Sequence, residues 1–441
     1  MYSSFIVTDH TVDCQYIREY PRATNHQEAP LKLLVRKYVP TDNQKPQPGD
    51  VTVIAAPGAG IPKETYEPFY EELLARSKQD GFRIRAIWAA DAANQGKSGV
   101  HNEQYLGNDP SWFDNSRDML HMINQFRADM PRPLMGLGHS AGGVELIYLS
   151  LLHPRLFTSL VLIEPYLHHG RPPAESRWII ARAKQTDKFP SRSFAVEKSK
   201  FLKLRDPRVR DRFAQHGFRD LPTALHLDAT VEGGNDSDRP VALTTPISQE
   251  IMVYVRPNLG RHRELNAPAE QDDNSVYGPN PPHDPLAVPD MLGGLWSHQF
   301  MYRPEPMITW RLLPHVRPRA LFISGEVSAL SKDGNQEIAV KRTGRGIGDS
   351  GGVEYGRVKR KIVKGAGHTA PQEKPADTAK LAGPWIGKEL KRGWEEKKRI
   401  EDGWKDASPT DRVGFSDEWL RLMDHASKTL PKRSPKSKSK L

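Results

Sequence analysis

A chain of 441 residues with 64 Lys+Arg against 54 Asp+Glu, a net charge of +10 and 37% hydrophobic residues holds one large α/β domain with an insertion, or two to three average domains. Its mean hydropathy of −0.64 is polar for a globular protein but far from the composition of a disordered chain. The single cysteine, Cys14, excludes an internal disulfide framework and a cysteine-based zinc site; no apolar run reaches the ~18 residues of a membrane span, and the N-terminus lacks the basic-then-apolar pattern of a secretory signal.

Residues 31–35 and 51–56 carry strand patterns, the second a continuous apolar run closed by Pro57-Gly58. A helix is predicted near 64–80, a strand at 82–88, a helix at 116–130, a short strand at 134–137, a helix at 141–152 and an apolar strand at 160–163. Strands alternating with helices predict a mostly parallel central sheet with helices on both faces. After Tyr166 this rhythm breaks into a stretch rich in Pro, Arg and Asp, and strand signals return only at 320–324 and 358–363. The expected organisation is an α/β core in two parts, 1–166 and 318–424, interrupted by a lid at 167–317 and followed by a basic tail at 425–441. The helical pattern of 385–429 is open to a contribution to a homodimer.

The positive charge is local. Segment 171–220, in the front of the lid, holds 14 Lys/Arg and 6 Asp/Glu, and the tail 425–441 holds six basic residues and no acidic one. The last three residues, Ser439-Lys440-Leu441, form the tripeptide read by the peroxisomal import receptor, so a peroxisomal matrix location is expected. No aromatic-basic motif of a nucleic-acid-binding module is present.

Gly138-His139-Ser140-Ala141-Gly142 fits G-x-S-x-G between a predicted strand and helix, the context of a tight turn that exposes a serine nucleophile. His368, after the last strand in Gly365-Ala366-Gly367-His368, stands where the chain order Ser…acid…His places the base. For the acid, the position after the strand that follows the lid is Ser328, with Glu326 and Asp333 near but off register. The favoured candidate is Glu164, at the C-terminal edge of the strand before the lid, where catalytic groups gather in α/β sheets. An oxyanion hole needs two amides. Ala141 supplies one, and in the loop Pro57-Gly58-Ala59-Gly60-Ile61-Pro62 the Ile61 amide is favoured, with Ala59 as the alternative.

The runs from Ile61 to Glu64, Trp88 to Asp91, Asn94 to Gly99 and Gly138 to Gly142, with His153-Pro154-Arg155-Leu156-Phe157, Glu164-Pro165 and Gly367-His368, resemble the fungal peroxisomal α/β-hydrolases of secondary-metabolite biosynthesis, the group of the mycophenolic acid acyl-CoA hydrolases and the Alternaria toxin-pathway hydrolases. The resemblance implies an α/β-hydrolase fold with the lid between strands six and seven, and a triad of Ser140, Glu164 and His368. It implies hydrolysis of an acyl thioester, most simply a fatty or secondary-metabolite acyl-CoA. A carboxylester hydrolase or lipase, and a catalytically silent binding protein of the same fold, are the alternatives. The chemistry needs no cofactor or metal. The basic lid segment suits the phosphates of coenzyme A, and Trp296, Phe300, Tyr302 and Trp310 are candidates for an acyl pocket.

Overall fold

The strands that are apolar throughout in sequence are covered on both sides in space. Leu160 and Leu162 point into one core and Val161 and Ile163 into another, on opposite faces of the same sheet. Each such side chain stabilises the fold by about 1.5–3 kcal/mol on burial. The computed structural model describes residues 4–168, 177–227, 239–257 and 301–430.

The sheet consists of β1 (Phe5–Asp13), β2 (Lys32–Pro40), β3 (Val51–Ala56), β4 (Ile84–Ala90), β5 (Leu134–His139), β6 (Ser159–Ile163), β7 (Arg319–Gly325) and β8 (Val358–Val363), in the order β1-β2-β4-β3-β5-β6-β7-β8. Only the β1–β2 and β2–β4 pairs are antiparallel. Helices α1 (Glu67–Ser77) and α2 (Trp112–Gln125) and α3 (Ala141–Leu152) follow β3, β4 and β5. Phe69 and Leu73 of α1 pack on one face of the sheet; Met119 and Met122 of α2 and Leu146 and Leu149 of α3 pack on the other.

Several boundaries differ from the sequence reading for identifiable reasons. β1 is an exposed edge strand that buries little besides Phe5 and Val12, so it carries no apolar signal. The helix expected at 64–80 begins as a 3₁₀ turn, Lys63–Tyr66, and becomes α-helical at Glu67, with Pro68 in its first turn. α2 starts early because Ser111 caps it, accepting from the Phe113 amide at 3.1 Å.

Between β6 and β7 lies the insertion. Its described part has short helices and a three-stranded sheet, Lys188–Phe189, Val241–Leu243 and Phe218–Asp220, around a small core of Ala195, Leu202, Phe213, Phe218 and Val241. Helix α4 (Ile247–Tyr254) belongs to it.

The chain divides into two compact units, Met1–Leu390 and Lys391–Leu441. Helix α5 (Pro375–Asp402) packs Ile386 and Leu390 on the sheet in the first unit. In the second, helices Pro409–Val413 and Asp417–Thr429 bury no residue. Phe415, Trp419, Leu420, Leu422 and Met423 are all exposed there. Among the described residues no helix is long and apolar enough to cross a membrane.

Two glycines permit the turn after β5. A Cβ on Gly142 would lie 2.2 Å from the Ala56 carbonyl oxygen, and one on Gly138 would lie 2.6 Å from that of Gly142. Both obstacles are backbone. Gly142→Ala is therefore expected to destabilise the protein by about 3 kcal/mol or more, measured as a lowered denaturation midpoint in urea.

Candidate active site

The register of three parallel strands builds the site. His139 of β5 pairs with Ile163 of β6, and Ile163 pairs with Ile323 of β7. The residues just past the first two, Ser140 and Glu164, therefore leave neighbouring strands side by side. Ser140 has φ 54° and ψ −119°, and Glu164 has φ 47°. Among the described residues these are the only non-glycine residues with positive φ. Such conformations cost about 1–3 kcal/mol each and persist where the surroundings enforce them. Here Ser140 donates to the Ile163 carbonyl at 3.0 Å and Glu164 to that of Ile323 at 2.8 Å.

His368 brings the two together. Its Nε2 lies 2.9 Å from Ser140 Oγ and its Nδ1 lies 3.2 Å from Glu164 Oε2. Glu164 is fully buried, while the His368 side chain is 38% exposed, which leaves its ring open to solvent. Three further donors meet the carboxyl: the Gly325 amide at 2.7 Å and Ser331 Oγ at 3.2 Å on Oε1, and Ser328 Oγ at 2.5 Å on Oε2. An ionised carboxyl only accepts, and every contact it makes comes from a donor. Ser328, the candidate position after β7, thus holds a hydroxyl that donates to the Glu164 carboxyl just past β6. Glu326 instead accepts from the Gly365 amide at 2.8 Å, and Asp333 accepts from Asn335 at 2.9 Å. Neither meets His368.

The loop after β3 is mostly committed. The Gly58 amide donates to Tyr66 Oη at 2.8 Å, Gly60 to Gln95 Oε1 at 2.8 Å, and Ile61 to the Gly58 carbonyl at 3.2 Å. The Ile61 amide is turned into its own loop. The Ala59 amide donates to nothing among the described residues, while its carbonyl accepts from Tyr254 of α4 at 3.2 Å. The free loop amide is therefore that of Ala59, the alternative position. Ala141 opens α3, where amides lack intrahelical partners.

Beneath the loop, Asp91 accepts from the Lys63 amide at 2.9 Å and from Lys63 Nζ at 2.6 Å, and Ser98 Oγ donates to the Asp91 carbonyl at 3.0 Å. Burial raises the Asp91 carboxyl above its ordinary range, against the pull of Lys63. This pair ties the loop after β4 to the loop after β3.

One connection has no signature in the sequence. Tyr66 Oη accepts from Gly58 and donates to His139 Nδ1, 2.6 Å away, because the one proton of the neutral His139 ring sits on Nε2, which faces a carbonyl. His139 Nε2 then donates to the His368 carbonyl at 2.9 Å. The chain links the β3 loop, the residue before Ser140 and the loop of His368. Burial, with the nearby His368, drops the His139 pKa from 6.5 to about 3. Between these values the unfolded chain binds a proton that the folded protein does not, so the stabilisation is complete above about pH 6.5 and is lost as pH falls toward about 3. His139→Gln is expected to flatten the loss of Tm between pH 6.5 and about 4; an unchanged slope removes His139 from the account.

The basic insertion is largely paired. Arg208 meets Glu72 at 2.9 Å, Arg212 meets Glu67 at 2.7 Å, Arg182 meets Glu250 at 2.7 Å, and Arg219 pairs with Glu103. Those arginines fasten the insertion. Among the described residues Lys184, Lys188, Lys203 and Arg210 form no ion pair, whereas Arg171 and residues 431–441 of the tail lie outside them. Of the four aromatic candidates, Trp296 and Phe300 also lie outside the described residues. Tyr302 is buried against Arg256 at 2.6 Å, and Trp310 is buried in the core on one face of the sheet. Neither lines the cavity beside Ala141. Ser439, Lys440 and Leu441 lie outside the described residues. Among those described, no cluster of His, Cys, Asp and Glu is arranged to hold a metal.

Comparison with known proteins follows this geometry. The alpha/beta hydrolase family profile matches residues 53–381. A type I acyl-CoA thioesterase, mpaH', of Penicillium brevicompactum is 37% identical over 451 residues, covering 98% of this chain and 99% of that protein. The mpaH thioesterase of Penicillium roqueforti is 39% identical over 431 residues, covering 91% of this chain and 94% of that protein. Among solved structures, the peroxisomal alpha-beta-hydrolase Lpx1 of Saccharomyces cerevisiae aligns with TM-score 0.63 at 17% identity, covering 97% of this chain and 99% of that one. With the eight-stranded sheet, the elbow at Ser140 and a near-full-length likeness to these thioesterases, the chain belongs to the alpha/beta hydrolase family.

Proposed function

We propose that this protein is a serine acyl-CoA thioesterase acting through Ser140, Glu164 and His368. The carrying observation is the 2.9 Å contact between Ser140 Oγ, on a strained turn, and His368 Nε2. His368 takes the Ser140 proton as Oγ attacks the thioester carbonyl, while Glu164 holds the ring with Nδ1–H toward itself and stabilises the imidazolium. The Ala141 and Ala59 amides receive the oxyanion. The C–S bond then breaks and the thiol leaves with the proton from His368. Water, deprotonated by His368, cleaves the acyl-serine and restores Oγ–H.

The thioester reading is supported by what the Penicillium relatives are called, and by unpaired Lys184, Lys188, Lys203 and Arg210 as partners for coenzyme A phosphates. The test compares acyl-CoA with the p-nitrophenyl ester and triglyceride of the same acyl chain. The expected result is kcat/KM at least about tenfold higher for the CoA thioester, with KM rising as salt screens the phosphates. Preference for the simple ester, without a salt effect on KM, points to a carboxylesterase; no turnover of any, to a silent binding protein.

A peroxisomal matrix location is part of the same proposal, supported by Ser439-Lys440-Leu441 and by the yeast neighbour's description as peroxisomal. The exposed Trp419, Leu420 and Met423 of the second unit support a homodimer through that helix. Sedimentation of the full chain at twice the monomer mass, lost in Trp419→Glu with Leu422→Glu, is the result expected.

A further inference from the structure

One turn of α3 after Ala141 stands Glu145, so both present the same side of the helix. Both line a small cavity of about 30 Å³ whose wall also includes Ala59, Asn115, Trp112 and Val253. The side chains of Glu145 and Asn115 are each 5% exposed. Asn115 Nδ2 donates to Glu145 Oε2 at 2.6 Å. That contact exhausts neither group. Asn115 Oδ1 is buried and accepts nothing, and no described Lys, Arg or His pairs with Glu145. The proposed reaction uses neither residue. A buried carboxyl-amide pair with spare hydrogen-bonding capacity, beside the amide that receives the oxyanion, calls for a polar group from elsewhere.

Burial raises the Glu145 carboxyl from 4.5 to about 8, against the Asn115 hydrogen bond and with Asp118 and Glu305 adding repulsion, which favours its protonated form. A protonated Glu145 offers a hydroxyl donor and Asn115 an acceptor. An alkyl chain leaves both unmet, and an anionic substituent meets acidic groups on α2 and Glu145 itself. A hydroxyl both donates and accepts.

We propose that Glu145 and Asn115 form a specificity subsite for an uncharged hydroxyl on the acyl group of the substrate. This rests on the assignment of Ser140 as nucleophile. Four residues of helix separate Glu145 from Ala141, about 6 Å of axial rise, so the hydroxyl belongs several bonds from the thioester carbonyl.

The test uses the full chain with octanoyl-CoA and a set of hydroxyoctanoyl-CoA positional isomers, read by thiol release. For the best isomer the wild-type protein is expected to show kcat/KM about 100-fold above octanoyl-CoA, and Glu145→Leu and Asn115→Leu are expected to abolish that preference while octanoyl-CoA turnover stays within about threefold. Glu145→Gln, which still donates, is expected to keep most of it. Labelling of Ser140 by a fluorophosphonate at the wild-type rate confirms that the Leu variants are folded. The subsite is overturned if wild-type protein treats the isomers and octanoyl-CoA alike while Ser140 labels normally, or if the Leu variants lose both substrates in proportion. Failure of Ser140 to label overturns the nucleophile and, with it, the subsite.

Discussion

Ser140→Ala is expected to lower kcat for an acyl-CoA substrate about 10⁶-fold, leaving KM within a few-fold and the thermal midpoint nearly unchanged. The size follows from the geometry. Among the described residues Ser140 Oγ is the only hydroxyl bonded to His368 Nε2, at 2.9 Å. In the proposed reaction the serine supplies the atom that forms the acyl-enzyme, so without it His368 has only water to activate. Stability is spared because the turn is enforced by Gly138, Gly142 and backbone bonds to Ile163 and Tyr166, none of which involve the hydroxyl. Loss of activity with loss of folding would place Ser140 among structural residues; retained activity would remove it from the chemistry.

The second large effect concerns the acid. Glu164→Gln is expected to lower kcat about 10⁴-fold, because the amide favours the wrong His368 tautomer and no longer stabilises the imidazolium. The arrangement also permits a transfer of function. Ser328 Oγ lies 2.5 Å from Glu164 Oε2, on the segment after β7. In a Glu164→Ala background, Ser328→Asp is therefore expected to restore activity at least about tenfold over Glu164→Ala alone. The same Ser328→Asp change in the wild-type background sets two carboxyls against each other and is expected to lower activity. Steady-state kinetics of the four proteins measures both effects. Full activity of Glu164→Gln would move the acid elsewhere.

Much of this was legible from residue types. The parallel strands announce themselves because both faces are covered, so 160–163 is apolar throughout. The elbow is legible because a tight strand-to-helix turn needs glycine on both sides of the serine. Glu164 was reachable because it follows the C-terminal edge of the apolar strand before the insertion, where catalytic groups gather in α/β sheets. β1 was not legible, because an exposed edge strand has no reason to be apolar. The oxyanion loop was half legible. Its composition says that an amide is freed, but which one depends on the turn that takes up the Ile61 amide and on Tyr254 arriving from the insertion. The path from Gly58 through Tyr66 and His139 to His368 joins residues far apart in the chain, and no local pattern encodes it. The arginines of the insertion looked like one basic surface; many meet carboxylates of the core that only the fold brings opposite.

Acylation of Ser140 through His368 in an acyl-CoA thioesterase is read by titrating the protein with a fluorophosphonate and following intact mass and acyl-CoA hydrolysis together. The expected result is a single adduct on the peptide bearing Ser140, slowed by acyl-CoA, absent in Ser140→Ala, and loss of activity in proportion to its occupancy. Acyl-CoA hydrolysis that persists at full occupancy, or an adduct that maps to another residue, would contradict it.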